Sequence, residues 1–185
     1  MWQWFSNNRR KKILATPFSS EWESHIQNNI PYYQYLNPEE KKRLKDLIQI
    51  FIAEKSWLGC NGLVLTDEIR VMIAAHACLM ILALPNDYYR NVESIYVYPS
   101  TIFSPENSAG FFEVRTTPVQ GAMPILGEAH HRGPVILVWD VVKKETRHPE
   151  YGHNVVYHEF AHKLDMLDGS ADGTPLLTTS EEYQR

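Results

Sequence analysis

His158, Glu159 and His162 are the residues of this chain whose types and spacing best suit chemistry, in the run His158-Glu159-Phe160-Ala161-His162. They lie in a segment, Val155 to Leu167, that reads as a helix. Residues four apart on a helix stand one above the other on one face, so both imidazoles can reach one metal ion. Glu159 is the next residue round the helix, close enough to act on a metal-bound water without being a ligand itself. The HExxH pattern is that of zinc peptidases. Neutral imidazole is a good zinc ligand, and a catalytic zinc keeps one position open for water. The metal lowers the pKa of that water toward neutrality and polarises the substrate carbonyl. Glu159 would take the water's proton and later deliver it to the leaving amine. Asp165 falls on the histidine face one turn beyond His162. It suits either a carboxylate that orients a histidine or a solvated helix-end residue, and spacing leaves both open.

A helix that offers histidines on one side needs an apolar side to hold it. Val156, Phe160, Leu164 and Leu167 form such a stripe. Asn154 suits the N-cap and Gly169 the C-terminal stop. Upstream, Val135-Ile136-Leu137-Val138-Trp139 is the clearest strand, entered from Pro134. As an edge strand beside the histidine helix it would hold a peptide backbone by strand augmentation. As an almost wholly apolar run it fits equally an internal strand buried on both faces. Residues 143–153 read as a polar connection between the two. Residues 94–98 and 111–114 are further strands, rich in β-branched and aromatic side chains.

The first half of the chain is helical in texture. A short helix is expected from Ser20 to Asn28, and Asn37-Pro38-Glu39-Glu40 is a strong helix start. Leu44, Leu47, Ile48, Phe51 and Ile52 then give an amphipathic stripe, and Gly59 and Gly62 mark a turn. Thr66-Asp67-Glu68 opens a helix that is apolar nearly all round and so central to the core. Helices, then short strands, then a helix predict an α+β fold. The expected organisation is a basic and aromatic leader over 1–15 and one domain over 16–185.

Composition narrows the function classes. The chain has 185 residues and a formal net charge of −4, which argues against direct nucleic-acid binding. The one concentrated basic run is Arg9-Arg10-Lys11-Lys12, behind Trp2, Trp4 and Phe5. It reads as a flexible leader, with contact to a membrane surface or an acidic partner as the alternative. It is no signal peptide, for it lacks an apolar core followed by small residues. The most apolar run, Val71 to Leu84, is broken by His76 and too short to span a bilayer. Cys60 and Cys78 make no disulfide framework, and thiols in a reducing cytoplasm are expected. His76 reads as a satisfied core histidine; His130, His131, His148 and His153 are not expected to bind the metal, though His153 is near enough to rim the site. The chain has no phosphate-binding glycine loop and no G-x-S-x-G elbow.

A catalytic zinc normally has three protein ligands. Glu181 and Glu182 are the carboxylates downstream of His162 that could turn back to it, and they suit equally the solvated first turn of a helix.

The run Gly152-His153-Asn154-Val155-Val156-Tyr157-His158-Glu159-Phe160-Ala161-His162-Lys163-Leu164-Asp165-Met166-Leu167-Asp168-Gly169 resembles the Mlc titration factor A family of bacterial zinc-dependent peptidases (the MtfA or DgsA anti-repressor family). So do Glu21-Trp22-Glu23, Gly62 through Arg70, Val97-Tyr98-Pro99-Ser100 and Gly133 through Asp140. The resemblance implies a cytoplasmic zincin-like metallopeptidase core, related to the catalytic domain of anthrax lethal factor, holding one zinc ion. It implies aminopeptidase-like hydrolysis of a peptide or protein substrate and, for enterobacterial members, capture of the transcription repressor Mlc in the control of glucose uptake. It maps the zinc ligands onto His158 and His162 and the catalytic glutamate onto Glu159. The family's third ligand is a glutamate on a later helix that this sequence does not reach. A domain truncated at its C-terminal end is therefore expected. The alternatives are a non-catalytic protein that sequesters a repressor and an inactive peptidase lacking its third ligand.

Overall fold

The computed structural model describes residues 2–84, 89–100 and 133–168, with side chains from Asn8 to Leu167. Helix α1 (Trp2–Leu14) occupies the place of the expected flexible leader. Its basic residues explain why it is held: the Arg10 guanidinium grips the Glu54 carboxylate with two bonds of 2.7 and 2.8 Å, and Arg9 donates to the carbonyl of Ala53 at 3.1 Å. Paired, partly buried Arg–carboxylate contacts fix orientation as well as charge.

Helix α2 (Ser20–Asn29) starts where expected, with Ser19 as N-cap. A 3₁₀ turn (Pro31–Tyr35) leads to α3 (Pro38–Glu54). Its Asn37 caps the Glu40 amide at 2.9 Å while the Glu40 side chain accepts from the Asn37 amide at 2.9 Å. This reciprocal box satisfies two amides that a helix start would otherwise leave open. Leu44, Leu47, Ile48 and Phe51 face the core as the stripe predicts, whereas Ile52 is only partly buried. Helix α4 (Asp67–Met80), capped by Thr66, has every residue from Val71 to Cys78 buried, in keeping with its all-round apolarity.

Three strands, β1 (Ser56–Gly59), β2 (Ser94–Tyr98) and β3 (Val135–Val138), form a parallel sheet in the order β1-β2-β3. Trp57 stands level with Ile95, and Ile95 with Val135. Strand β1 was not expected; its four residues carry no alternation long enough to read. Strand β3 ends the described sheet, yet Val135, Leu137 and Val138 are buried. The burial agrees with the reading as a strand covered on its faces. The expected strand at 111–114 lies outside the described residues.

Helix α5 (Trp139–Arg147) corrects two expectations: the strand stops at Val138 rather than Trp139, and the polar connection is largely helical. Trp139, Val142 and Thr146 are buried at helical spacing, and Asp140 pairs with Lys143 at 3.3 Å. The β-branched Val141-Val142 pair masks this period when read as sequence. A 3₁₀ turn (Pro149–Tyr151) then leads to α6 (Val155–Asp165), followed by a last 3₁₀ turn (Met166–Asp168). Helices and a small parallel sheet agree with the α+β class. No helix among the described residues is long and apolar enough to cross a membrane.

Candidate metal centre

Helix α6 carries His158, Glu159 and His162. Its start is held from two sides. Asn154 accepts from the Tyr157 amide at 3.0 Å, as its place in the sequence predicts, and the Glu145 carboxylate of α5 accepts from the Val155 amide. A carboxylate at this end also suits the helix dipole. The inner face is set by Val156 and Phe160, both fully buried. The Phe160 ring lies 4.8 Å from that of Tyr89 and 5.7 Å from that of Phe51. With that face committed to the core, His158 is exposed and His162 half-buried on the other.

The two imidazoles converge. Their Nε2 atoms are 3.3 Å apart, the ring centroids 4.6 Å, and the planes nearly perpendicular at 87°. Two imidazole nitrogens bound at about 2.0–2.1 Å to a tetrahedral zinc would stand about 3.3–3.4 Å apart. The spacing of the pair, close enough here for one ring to hydrogen-bond the other, is therefore also that of two ligands on one tetrahedral metal. Glu159, one residue round, is half-buried. Lys163 lies within its field: burial pushes the Lys163 ammonium below its usual range, and the Glu159 carboxylate opposes that shift. Lys163 Nζ also donates to the carbonyl of Gly133 at 3.0 Å, tying the helix to the approach to β3.

Among the described residues no third His, Cys, Asp or Glu joins the pair as a metal-binding group. Glu181 and Glu182 lie outside the described residues, as do His130, His131 and Gly169. Asp165 is buried, only 9% exposed, so its reading as a solvated residue does not hold. Its Oδ1 has no hydrogen-bond partner among the described residues.

The family model described as glucose-regulated metallo-peptidase M90 matches residues 4–185. The chain belongs to the M90 metallo-peptidase family. It is 36% identical over 183 residues to an uncharacterized protein of Synechocystis sp., covering 96% of this chain and 64% of that protein. It is 27% identical over 175 residues to Mlc titration factor A of Yersinia pestis and of Yersinia pseudotuberculosis, covering 94% of this chain and 60% of theirs. The chain thus spans less than two thirds of the length of these relatives. The resemblance read from the motif run holds, and M90 membership implies a metal.

Around the motif, this M90 chain uses residues that the sequence does not single out. Glu145 is one acid among several until α5 folds against the head of α6. Asn91 donates to the carbonyl of Lys163 at 2.7 Å, near the far end of the helix. His76 is, as expected, a satisfied core histidine: 2% exposed, with Nε2 3.0 Å from Thr146 Oγ1. Burial pushes its pKa down to about 4. His148 is bonded to Glu150 at 3.0 Å and stacked on Tyr151, and His153 is exposed before the helix start. Neither is part of a metal-binding group among the described residues.

Proposed function

We propose that this chain is a zinc-dependent metallopeptidase of zincin-like architecture that hydrolyses peptide bonds, with aminopeptidase-like action. His158 and His162 are the zinc ligands and Glu159 the catalytic carboxylate. The observation that carries this reading is the 3.3 Å approach of the two Nε2 atoms on a helix whose next side chain is a glutamate. Zinc, when bound, supplies Lewis acidity and a water of lowered pKa. The chain supplies the rest. Glu159 accepts the proton of the attacking water and returns it to the leaving amine. Lys163 lies in its electrostatic field and ties the helix to the approach to β3. The outer edge of β3, which pairs with no strand among the described residues, suits an added peptide backbone. The third ligand is a downstream carboxylate: a glutamate on a later helix, as the family resemblance implies, or else Glu181 or Glu182.

A second reading, capture of a transcription repressor in the cytoplasm, is favoured by the name of the Yersinia relatives, Mlc titration factor A. The two readings separate on Glu159→Gln. That change should lower peptide cleavage about 10²–10⁴-fold, the usual worth of a general base, while leaving repressor binding and zinc in place. Metal analysis of the purified chain should find about one zinc, lost in His162→Ala. Undiminished cleavage in Glu159→Gln, or zinc retained in both His158→Ala and His162→Ala, overturns the peptidase reading.

A further inference from the structure

The polar groups beneath the head of α6 have a purpose beyond filling the core. Asn154 has one amide oxygen and one amide nitrogen to direct. The oxygen is committed to the Tyr157 backbone N–H at 3.0 Å, so the nitrogen must point the other way, where it meets His76 Nδ1 at 3.3 Å. His76 Nδ1 is thus an acceptor, and the ring proton sits on Nε2, from which it is donated to Thr146 Oγ1 at 3.0 Å. Asn154, His76 and Thr146 form a chain of bonds with one consistent direction, joining the start of α6 to α4 and α5. The Tyr157 ring stands edge-on to His76, with centroids 5.1 Å apart and planes at 85°. Beside it, Glu145 takes the Val155 amide. His158 is the next residue after Tyr157 and sits in this first turn; His162 lies one turn further on.

We propose that His76 is a positioning residue of the metal centre: by holding the Asn154 amide it sets the start and rotation of α6, and so aims His158 at the point shared with His162. This rests on the reading of His158 and His162 as zinc ligands. A buried acceptor left without its donor is costly, so the Asn154–His76 bond resists a turn of the helix about its axis. A merely space-filling side chain at position 76 would leave that rotation to apolar contacts, which have no direction.

The test uses the full chain and two readouts. One is zinc affinity, measured by competition with a chromophoric chelator. The other is amide hydrogen exchange in the metal-free chain over Val156 to His158. In His76→Phe, exchange should rise in this first turn, and zinc should bind about tenfold more weakly, at the low end of what outer partners of metal ligands contribute. His76→Asn, whose amide oxygen can stand near Nδ1 as an acceptor, should recover most of both. Should His76→Phe fail to fold, Asn154→Ser keeps a good N-cap yet offers no amide to His76, and the same loss is expected. Wild-type affinity and exchange in a folded His76→Phe or in Asn154→Ser overturn the proposal, as does a loss that His76→Asn does not relieve. If His158→Ala binds zinc as well as the wild type, the ligand assignment fails instead, and the metal-free exchange still judges His76.

Discussion

The same side chain does different work at three positions. His158 and His162 lie on the outer face of α6 with ring nitrogens converging, whereas His76 is sealed in the core with both nitrogens bonded. Burial separates them: it disfavours the charged form, and for His76 the folded pKa drops to about 4. The unfolded chain holds this histidine near pKa 6.5. Between those values the unfolded state binds more protons, so stability is fully present above about pH 6.5 and is lost as the pH falls toward 4. The shift corresponds to about 3 kcal/mol at most. Urea unfolding at pH 7 and pH 4.5 should therefore show a larger loss in the wild type than in a folded His76→Phe. Equal losses would mean that His76 titrates in the folded chain much as it does in the unfolded one.

Elements bring these residues together through their ends. Helix α6 begins where Asn154 and Glu145 take its first amides, and α3 begins in the Asn37–Glu40 box. The end of β1 is equally constrained. A Cβ on Gly59 would lie 2.0 Å from the carbonyl oxygen of Leu63, a backbone atom of the turn that follows. That turn already uses Asn61 at φ 51° and Gly62 at φ 77°. Gly59→Ala should then cost about 1–3 kcal/mol, as other forced overpacking does. The expected result is a lower urea midpoint at unchanged slope. A midpoint equal to the wild type's would show that the turn can move aside. Helix α5 illustrates the opposite case, an element whose period only its neighbours reveal: Trp139, Val142 and Thr146 form a face once α6 and β3 pack against it and Thr146 meets His76 of α4.

Across the molecule, the site depends on a core built from distant segments. Phe51 of α3, Tyr89 before β2 and Phe160 of α6 meet as one aromatic cluster, and the Tyr89 hydroxyl donates to Ala77 of α4 at 2.9 Å. Phe160→Ala should destabilise the chain by about 3–5 kcal/mol and loosen the helix that carries the histidines. Thermal unfolding checks this, and a change under about 1 kcal/mol would show that α6 is not held by this ring. Read alone, the sequence determined what local chemistry specifies. The spacing of His158, Glu159 and His162 on a helix, the caps at Asn37, Thr66 and Asn154, and the buried character of α4 all depend on residues within a turn or two of one another. Only the tertiary structure decided the rest. The parallel order β1-β2-β3, the docking of α1 through Arg10 on Glu54, and the burial of Asp165 are not local properties. Nor is the Asn154–His76–Thr146 chain, whose two bonds span 78 and 70 positions. A hydrogen bond of that kind leaves no periodic trace in a sequence, because its partners are chosen by how helices pack and not by how residues follow one another.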